Sequence, residues 1–358
     1  MKLTDKLDFW LLGPVLYLMF AGLLIIYSVD VNLFFKQLIW VLLGIAVIFS
    51  FHYFNLRAIL SYRWMILAFY ILMVLMLAVT YFVARPIAGT KGWISLGPAQ
   101  IQPSEFMKAA LIILFSRFFA TRHVSIASWR IIIGSVIYII LPVALVLLQP
   151  DLGTALIILG IWFGYLLVSE LPLRKTMGFI GLFLITLGLA WNFGLASYQK
   201  ERVLALFDPT RDPLGINYSV IQSKIAIGSA GFWGKGFEQG TQIQLGFLPA
   251  STTDFVFASF TEEWGLLGAL TIIAAFLMLL FRISFIGERQ TDNFYKFICL
   301  GTLIVILLHL TVNLGSTLGL LPVVGVGLPF VSYGGSNLLT LSLLIGIIHH
   351  IAGKRAGF

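Results

Sequence analysis

Apolar residues run through this chain in long blocks, not in the short alternations of a soluble fold. A helix crossing the hydrocarbon core needs about 20 largely apolar residues. Ten blocks are of that order: 10–28, 33–50, 64–83, 106–120, 131–148, 154–169, 176–194, 255–281, 297–315 and 336–351. The blocks at 106–120 and 154–169 are short and extend into their flanks. The block at 255–281 is long and carries Glu262 and Glu263 inside it. The pattern predicts an all-α, polytopic membrane helix bundle of about ten transmembrane helices, forming a single domain over 1–358. The first block follows no cleavage-type segment and reads as a retained span.

The segments between the blocks differ by side. An even number of spans puts both termini on one face. The loops of that face are short and basic, with Arg57, Arg63, Arg117, Arg122, Arg130, Arg174, Lys175, Arg282, Arg289 and Lys296. Such an excess marks the cytoplasmic side. The other side receives 84–104, the tight link 149–153, a long extracellular loop at 195–253 between spans 7 and 8, and a Gly/Pro-rich link at 316–335. Loops held by a rigid scaffold carry function, so the chemistry is expected to face outward from the cytoplasmic membrane.

Composition sharpens this picture. The chain is 59% hydrophobic and 11% charged, against about a quarter charged in soluble domains. A soluble core is excluded. The net charge of +8 follows from the loop asymmetry and does not call for nucleic acid. The single cysteine, Cys299, excludes an internal disulfide.

Several polar groups sit at span mouths. Asp254 precedes Phe255-Val256-Phe257, where an acid is costly unless it has a role or a partner. Thr252 or Thr253 is placed to cap the eighth span, which would leave Asp254 in its first turn. The helix dipole there favours the carboxylate, whereas apolar neighbours push its pKa up. Glu262 is nearer than Glu263 to the face of Asp254 on a continuous helix. Pro103-Ser104-Glu105 reads as a helix start, and Glu105 and Lys108 share a face at three-residue spacing. Asp151 is placed to cap the sixth span. Lys91 and Lys224 lie in outer segments near glycines that allow close backbone approach. His309 and Asn313, four apart, suit interhelical hydrogen bonding. There is no His/Cys metal spacing and no Walker or Rossmann fingerprint.

Four strings occur together: Gln102-Pro103-Ser104-Glu105, Gln149-Pro150-Asp151-Leu152-Gly153-Thr154, Thr253-Asp254-Phe255 and Pro329-Phe330-Val331-Ser332-Tyr333-Gly334-Gly335. In that order the chain resembles the SEDS family (shape, elongation, division and sporulation), and Ile221-Gln222-Ser223-Lys224-Ile225-Ala226-Ile227-Gly228-Ser229, Gly234-Lys235-Gly236, Gly240-Thr241-Gln242 and Phe247-Leu248-Pro249 make it most similar to the elongation branch. Two stretches depart from the family pattern. Gly92 stands before Trp93 where a basic residue is common, and Ala250-Ser251-Thr252 stands where the family often has Pro-Glu and a basic residue.

The resemblance implies a peptidoglycan glycosyltransferase that polymerises lipid II, a disaccharide-pentapeptide on undecaprenyl diphosphate. A class B penicillin-binding protein and other elongation-complex proteins would be its partners. Transfer from an α-linked donor to a β-linked product implies a single displacement, with one base and a stabilised leaving group. Asp254 is the expected base. Lys91, Lys108 and Lys224 are the expected diphosphate cations, with Arg202 and Arg211 behind them. Glu105 and Asp151 complete the expected site, where a divalent cation (Mg or Mn) would share the work. A lipid II flippase is the alternative from a different class, and a scaffold without chemistry is a third.

Overall fold

The computed structural model describes residues 7–353 apart from 52–59, 61, 85, 87–88, 98, 123–127, 169–173, 176, 179–180, 182–187, 189–190, 193–196, 209–211 and 216. The seventh expected span, 176–194, and Arg211 fall largely or wholly outside the described residues. The other expected spans coincide with helices: α1 (Phe9–Val29), α2 (Val31–Ser50), α3 (Arg63–Val83), α4 (Pro103–Ala120), α5 (Trp129–Leu148), α6 (Leu152–Val168), α10 (Val256–Glu288), α11 (Asn293–Thr317) and α12 (Gly335–Gly353). The long outer stretch is partly helical, with α7 (Ser197–Phe207), α8 (Tyr218–Ser229) and the single turn α9 (Thr241–Gln244). Among the described residues, seven helices are long and apolar enough to cross a membrane. The 18-residue α4 and the 17-residue α6 fall outside that set, α4 carrying Glu105, Lys108 and Arg117.

Asx caps start several helices. Asp8 accepts from Leu11 N at 3.2 Å, Asp30 from Asn32 N at 2.7 Å and Asp292 from Phe294 N at 2.9 Å. Each satisfies an amide that the helix itself leaves unpaired.

The helices α4 and α11 form the centre of the bundle. They pack on each other, α4 also contacts α3 and α12, and α11 contacts α6 and α10. Nearly every residue of α4 from Pro103 to Ser116 is buried. By contrast α2, α3 and α5 bury only a stripe and turn large apolar side chains outward. In water such faces would be unstable, and in lipid they are the required surface.

Two features depart from the sequence reading. A two-stranded antiparallel hairpin, β1 (Ile94–Leu96) and β2 (Ala99–Ile101), pairs Ser95 with Gln100 in the first outer loop. Its strands are too short to leave a period-2 signal. The eighth span, expected as one continuous helix, is broken at Gly265, where φ is 71° and ψ is −171°.

Candidate active site

The break in α10 frees main-chain groups that must find partners. The loop at 231–236 supplies them. Lys235 N donates to Glu262 O at 2.9 Å and Gly236 N to Glu263 O at 3.0 Å. Leu266 N donates to Gly231 O at 3.0 Å and Leu267 N to Phe232 O at 3.2 Å. Gly234 and Gly265 meet so closely that a Cβ on either would overlap the other strand's backbone. The segment 256–264 is thus a short, separately anchored helix, and Asp254 lies just ahead of it.

Neither Thr252 nor Thr253 caps this helix, and Asp254 is not in its first turn. Phe255 occupies the N-cap without a side-chain bond, and Asp254 precedes it in a tight turn. The turn is held through its backbone. Asn313 donates to Asp254 O at 2.9 Å, Ser332 Oγ to Thr253 O at 2.6 Å and Tyr333 N to Thr252 O at 2.8 Å. Ser259 Oγ donates to Ser251 O at 2.9 Å. The part of the Gly/Pro-rich link at 326–331 is largely buried in protein, as broken backbone at membrane depth must be.

The Asp254 side chain is half-buried and makes no hydrogen bond or ion pair among the described residues. Burial pushes its carboxyl above the ordinary carboxylate value, and the Arg202 guanidinium partly offsets this. Of the two opposed effects read from the sequence, burial wins. Arg202 Nη1 donates to Val323 O at 2.9 Å, and Arg202 and Lys224 line one cleft between α7, α8 and residues 319–323. Phe255 packs on Ala226 and Leu248, with Val220 and Val323 alongside. Val220 and Val323 line that cleft and pack against the cluster that holds Phe255, the residue next to Asp254.

A second polar group lies at the start of α4. Lys108 Nζ donates to Glu105 Oε1 at 2.7 Å and lies 2.9 Å from His309 Nε2. Asn337 donates to Glu105 Oε2 at 2.8 Å, and His309 Nδ1 lies 3.1 Å from Gly327 O. The expected shared face of Glu105 and Lys108 is present, and so is the interhelical role of His309 and Asn313. Lys108 is 2% exposed, so its ammonium faces the interior.

Asp151 caps α6 as its position suggests. It accepts from Thr154 N at 3.0 Å and Thr154 Oγ1 at 2.8 Å, and from Gln102 Nε2 at 3.1 Å. Burial raises its pKa, and the Thr154 bonds oppose the rise. Lys91 is exposed, and its main-chain amide donates to Gln149 O at 3.2 Å.

The structure therefore brings Glu105, Lys108 and Asp151 together at the start of α4, and places Lys224 in the cleft beside the Asp254 turn. Helix α11 joins the two groups, because His309 and Asn313 stand one turn apart on it. Glu262 does not face Asp254. Its Oε1 accepts from Lys235 Nζ at 2.6 Å, Thr241 Oγ1 at 3.1 Å and Gln242 N at 3.0 Å.

Sequence reading missed Gln37, which bonds the main chain of Ser332 and Gly334 from within α2. A lone buried amide in an apolar span was the available signal. The arrangement fits a divalent ion poorly at Glu105 and Asp151. Glu105 is already neutralised by the Lys108 ammonium at 2.7 Å, a positive charge that would repel a divalent cation there. Among the described residues no cluster of three or more His, Cys, Asp or Glu side chains is shaped to hold a metal.

The FtsW, RodA and SpoVE family model, described as cell cycle protein, matches residues 9–356. The chain is 39% identical over 292 residues to the peptidoglycan glycosyltransferase MrdB of Escherichia coli K12, covering 82% of this chain and 78% of that protein. It superposes on one chain of a peptidoglycan synthase complex that coordinates polymerization and crosslinking. There the TM-score is 0.83 at 31% identity, over 98% of this chain and 99% of that one. Against the rod shape determining protein RodA of Thermus thermophilus the TM-score is 0.72 at 26% identity, over 98% and 97%.

Proposed function

The chain belongs to the FtsW, RodA and SpoVE family of cell cycle proteins, and from that premise we infer that it is a peptidoglycan glycosyltransferase of cell elongation. Its substrate is lipid II, and its product is a glycan strand. The observation that carries the mechanism is Asp254: a half-buried carboxylate, fixed through its backbone and unpaired at its side chain among the described residues.

The acceptor C4 hydroxyl is a weak nucleophile and needs a positioned base. It passes its proton to Asp254 as its oxygen attacks C1 of the lipid-linked donor. The bond from C1 to the diphosphate breaks, the diphosphate leaves with the electron pair, and the anomeric centre inverts. A raised pKa makes Asp254 a better base near neutral pH. Arg202 and Lys224 neutralise the leaving diphosphate from the neighbouring cleft, with Lys91 on the exposed loop as a third cation. Glu105, Lys108 and Asp151 hold the floor of the site. No step runs through a divalent ion, because the Lys108 ammonium already neutralises Glu105, one of the carboxylates expected to hold one.

The site faces outward and both termini are cytoplasmic. The basic loops support this, as does the Asp8–Arg282 ion pair of 2.7 Å at the end of the bundle that carries the N-terminal residues. The likeness to a synthase complex supports a class B penicillin-binding protein as the crosslinking partner, alongside other elongation proteins.

The test is polymerisation of labelled lipid II in detergent by the wild type and Asp254→Asn, each alone and with the partner. The wild type is expected to make polymer. Asp254→Asn should lose on the order of 10²–10⁴-fold in rate while still folding. A variant as fast as wild type sinks the assignment. Lipid movement across vesicles without any polymer would point to a flippase.

A further inference from the structure

The broken helix that follows Asp254 is tied to the outer loop by an ion pair between buried Glu262 and partly exposed Lys235 that the mechanism does not use. Glu262 is fully buried, and its Oε1 gathers Lys235 Nζ, Thr241 Oγ1 and the Gln242 amide. Lys235 also donates to Thr241 Oγ1 at 2.7 Å. The main chain of the same Lys235 closes the break, through its bond to Glu262 O. One residue thus makes both the backbone and the side-chain tie.

From this knot a short path leads to the turn. Leu248 N donates to Gln242 O at 3.0 Å. Leu248 is buried against Phe255 and Ala258, and Phe255 follows Asp254. Neighbouring Glu263 is bonded to Ser28, whose hydroxyl and carbonyl take the amide of Gln244 at 3.1 and 2.9 Å. The loop is therefore pinned on both sides, to α10 and to the end of α1.

We propose that Lys235 and Glu262 are positioning residues for the transfer reaction, fixing through residues 242–248 where the Asp254 carboxylate stands. This rests on the reading of Asp254 as the base. A polar pair inside the fold could instead serve stability alone, and the two roles separate experimentally. Lys235→Met leaves Glu262 a buried carboxylate without its counter-ion, which destabilises the fold. The double variant Lys235→Met/Glu262→Gln removes that charge, so its melting temperature should recover toward wild type. The backbone bond remains but the side-chain tie stays broken, so kcat should remain about 10–100-fold low with KM within about twofold, as expected for a displaced catalytic group. Lys235→Arg keeps the charge and should restore most of kcat.

The experiment measures polymerisation kinetics, melting temperature and hydrogen exchange at residues 245–256 in the full-length chain with its partner. Support is a double variant with recovered melting temperature, low kcat and faster exchange at 245–256. Recovery of kcat together with melting temperature would overturn the proposal in favour of a purely structural pair. Unchanged exchange at 245–256 in Lys235→Met and the double variant overturns it whatever the activity. A wild type that makes no polymer counts against the glycosyltransferase reading, and exchange then decides the positioning claim by itself.

Discussion

The side-chain amide of Asn313 donates to the main-chain oxygens of Asp254 and Val326, at 2.9 Å in each case. One residue of α11 thereby joins the turn before α10 to the link before α12. Asn313→Leu keeps the approximate volume and leaves two carbonyls unpaired. Burying such a group without its partner costs about 1–3 kcal/mol. We expect a lower unfolding temperature and, because the turn is released, a kcat roughly 10–100-fold below wild type. A variant that melts early yet polymerises normally would show that Asn313 does not set the position of Asp254.

The pH profile follows from the neighbours of Asp254. The reactive form is the carboxylate, so kcat/KM should fall as pH drops through its pKa. Burial raises that pKa and Arg202 lowers it. The acid limb is therefore expected above the usual carboxylate range. Arg202→Met removes the lowering influence, so the limb should move to still higher pH. Profiles of both proteins over the acid range check the sign, and a shift toward lower pH in Arg202→Met would contradict it.

What the sequence showed and what it hid divide along one physical line. Long apolar blocks are a local signal, so the described spans were legible. The capping by Asp151 and the Glu105–Lys108 pair depend on residues three apart, and they too could be read directly. His309 was readable as a polar contact, but not as the second partner of Lys108, which comes from a distant helix. The break at Gly265 left no trace in hydropathy, because its closing bonds come from residues 231–236. The same break explains the misplacement of Glu262. Spacing along a continuous helix says nothing about Asp254 once Asp254 lies in a turn ahead of it.

The Glu105–Lys108 pair provides an independent check on the core. Both residues are buried, at 7% and 2% exposed. Lys108→Met strands the carboxylate, and breaking a buried pair from one side costs about 3–5 kcal/mol. Thermal unfolding in detergent should show that loss. Lys108→Met/Glu105→Gln should regain much of it, because no unpaired charge remains. If the double variant is as unstable as the single, hydrogen bonding to Asn337 and His309 matters more than charge pairing.

Gly265 gives the sharpest test of the broken helix. Its φ of 71° with ψ of −171° lies where only glycine is comfortable. A Cβ there would also overlap the main chain of Phe232 and Gly234. Gly265→Ala should therefore cost at least about 1–3 kcal/mol from backbone strain. Pushing the 231–236 loop outward adds to that cost. Gly228 on α8 is the contrasting position, since a Cβ there meets nothing within 4 Å. Gly228 is helical in the last turn of α8, where alanine suits the backbone at least as well as glycine, so Gly228→Ala should melt at or above wild type. The pair separates a general intolerance of substitution from a specific need for the break. If Gly265→Ala were as stable and active as Gly228→Ala, the helix would have to run straight through residue 265, and the loop's ties to Glu262 and Glu263 would be lost with it.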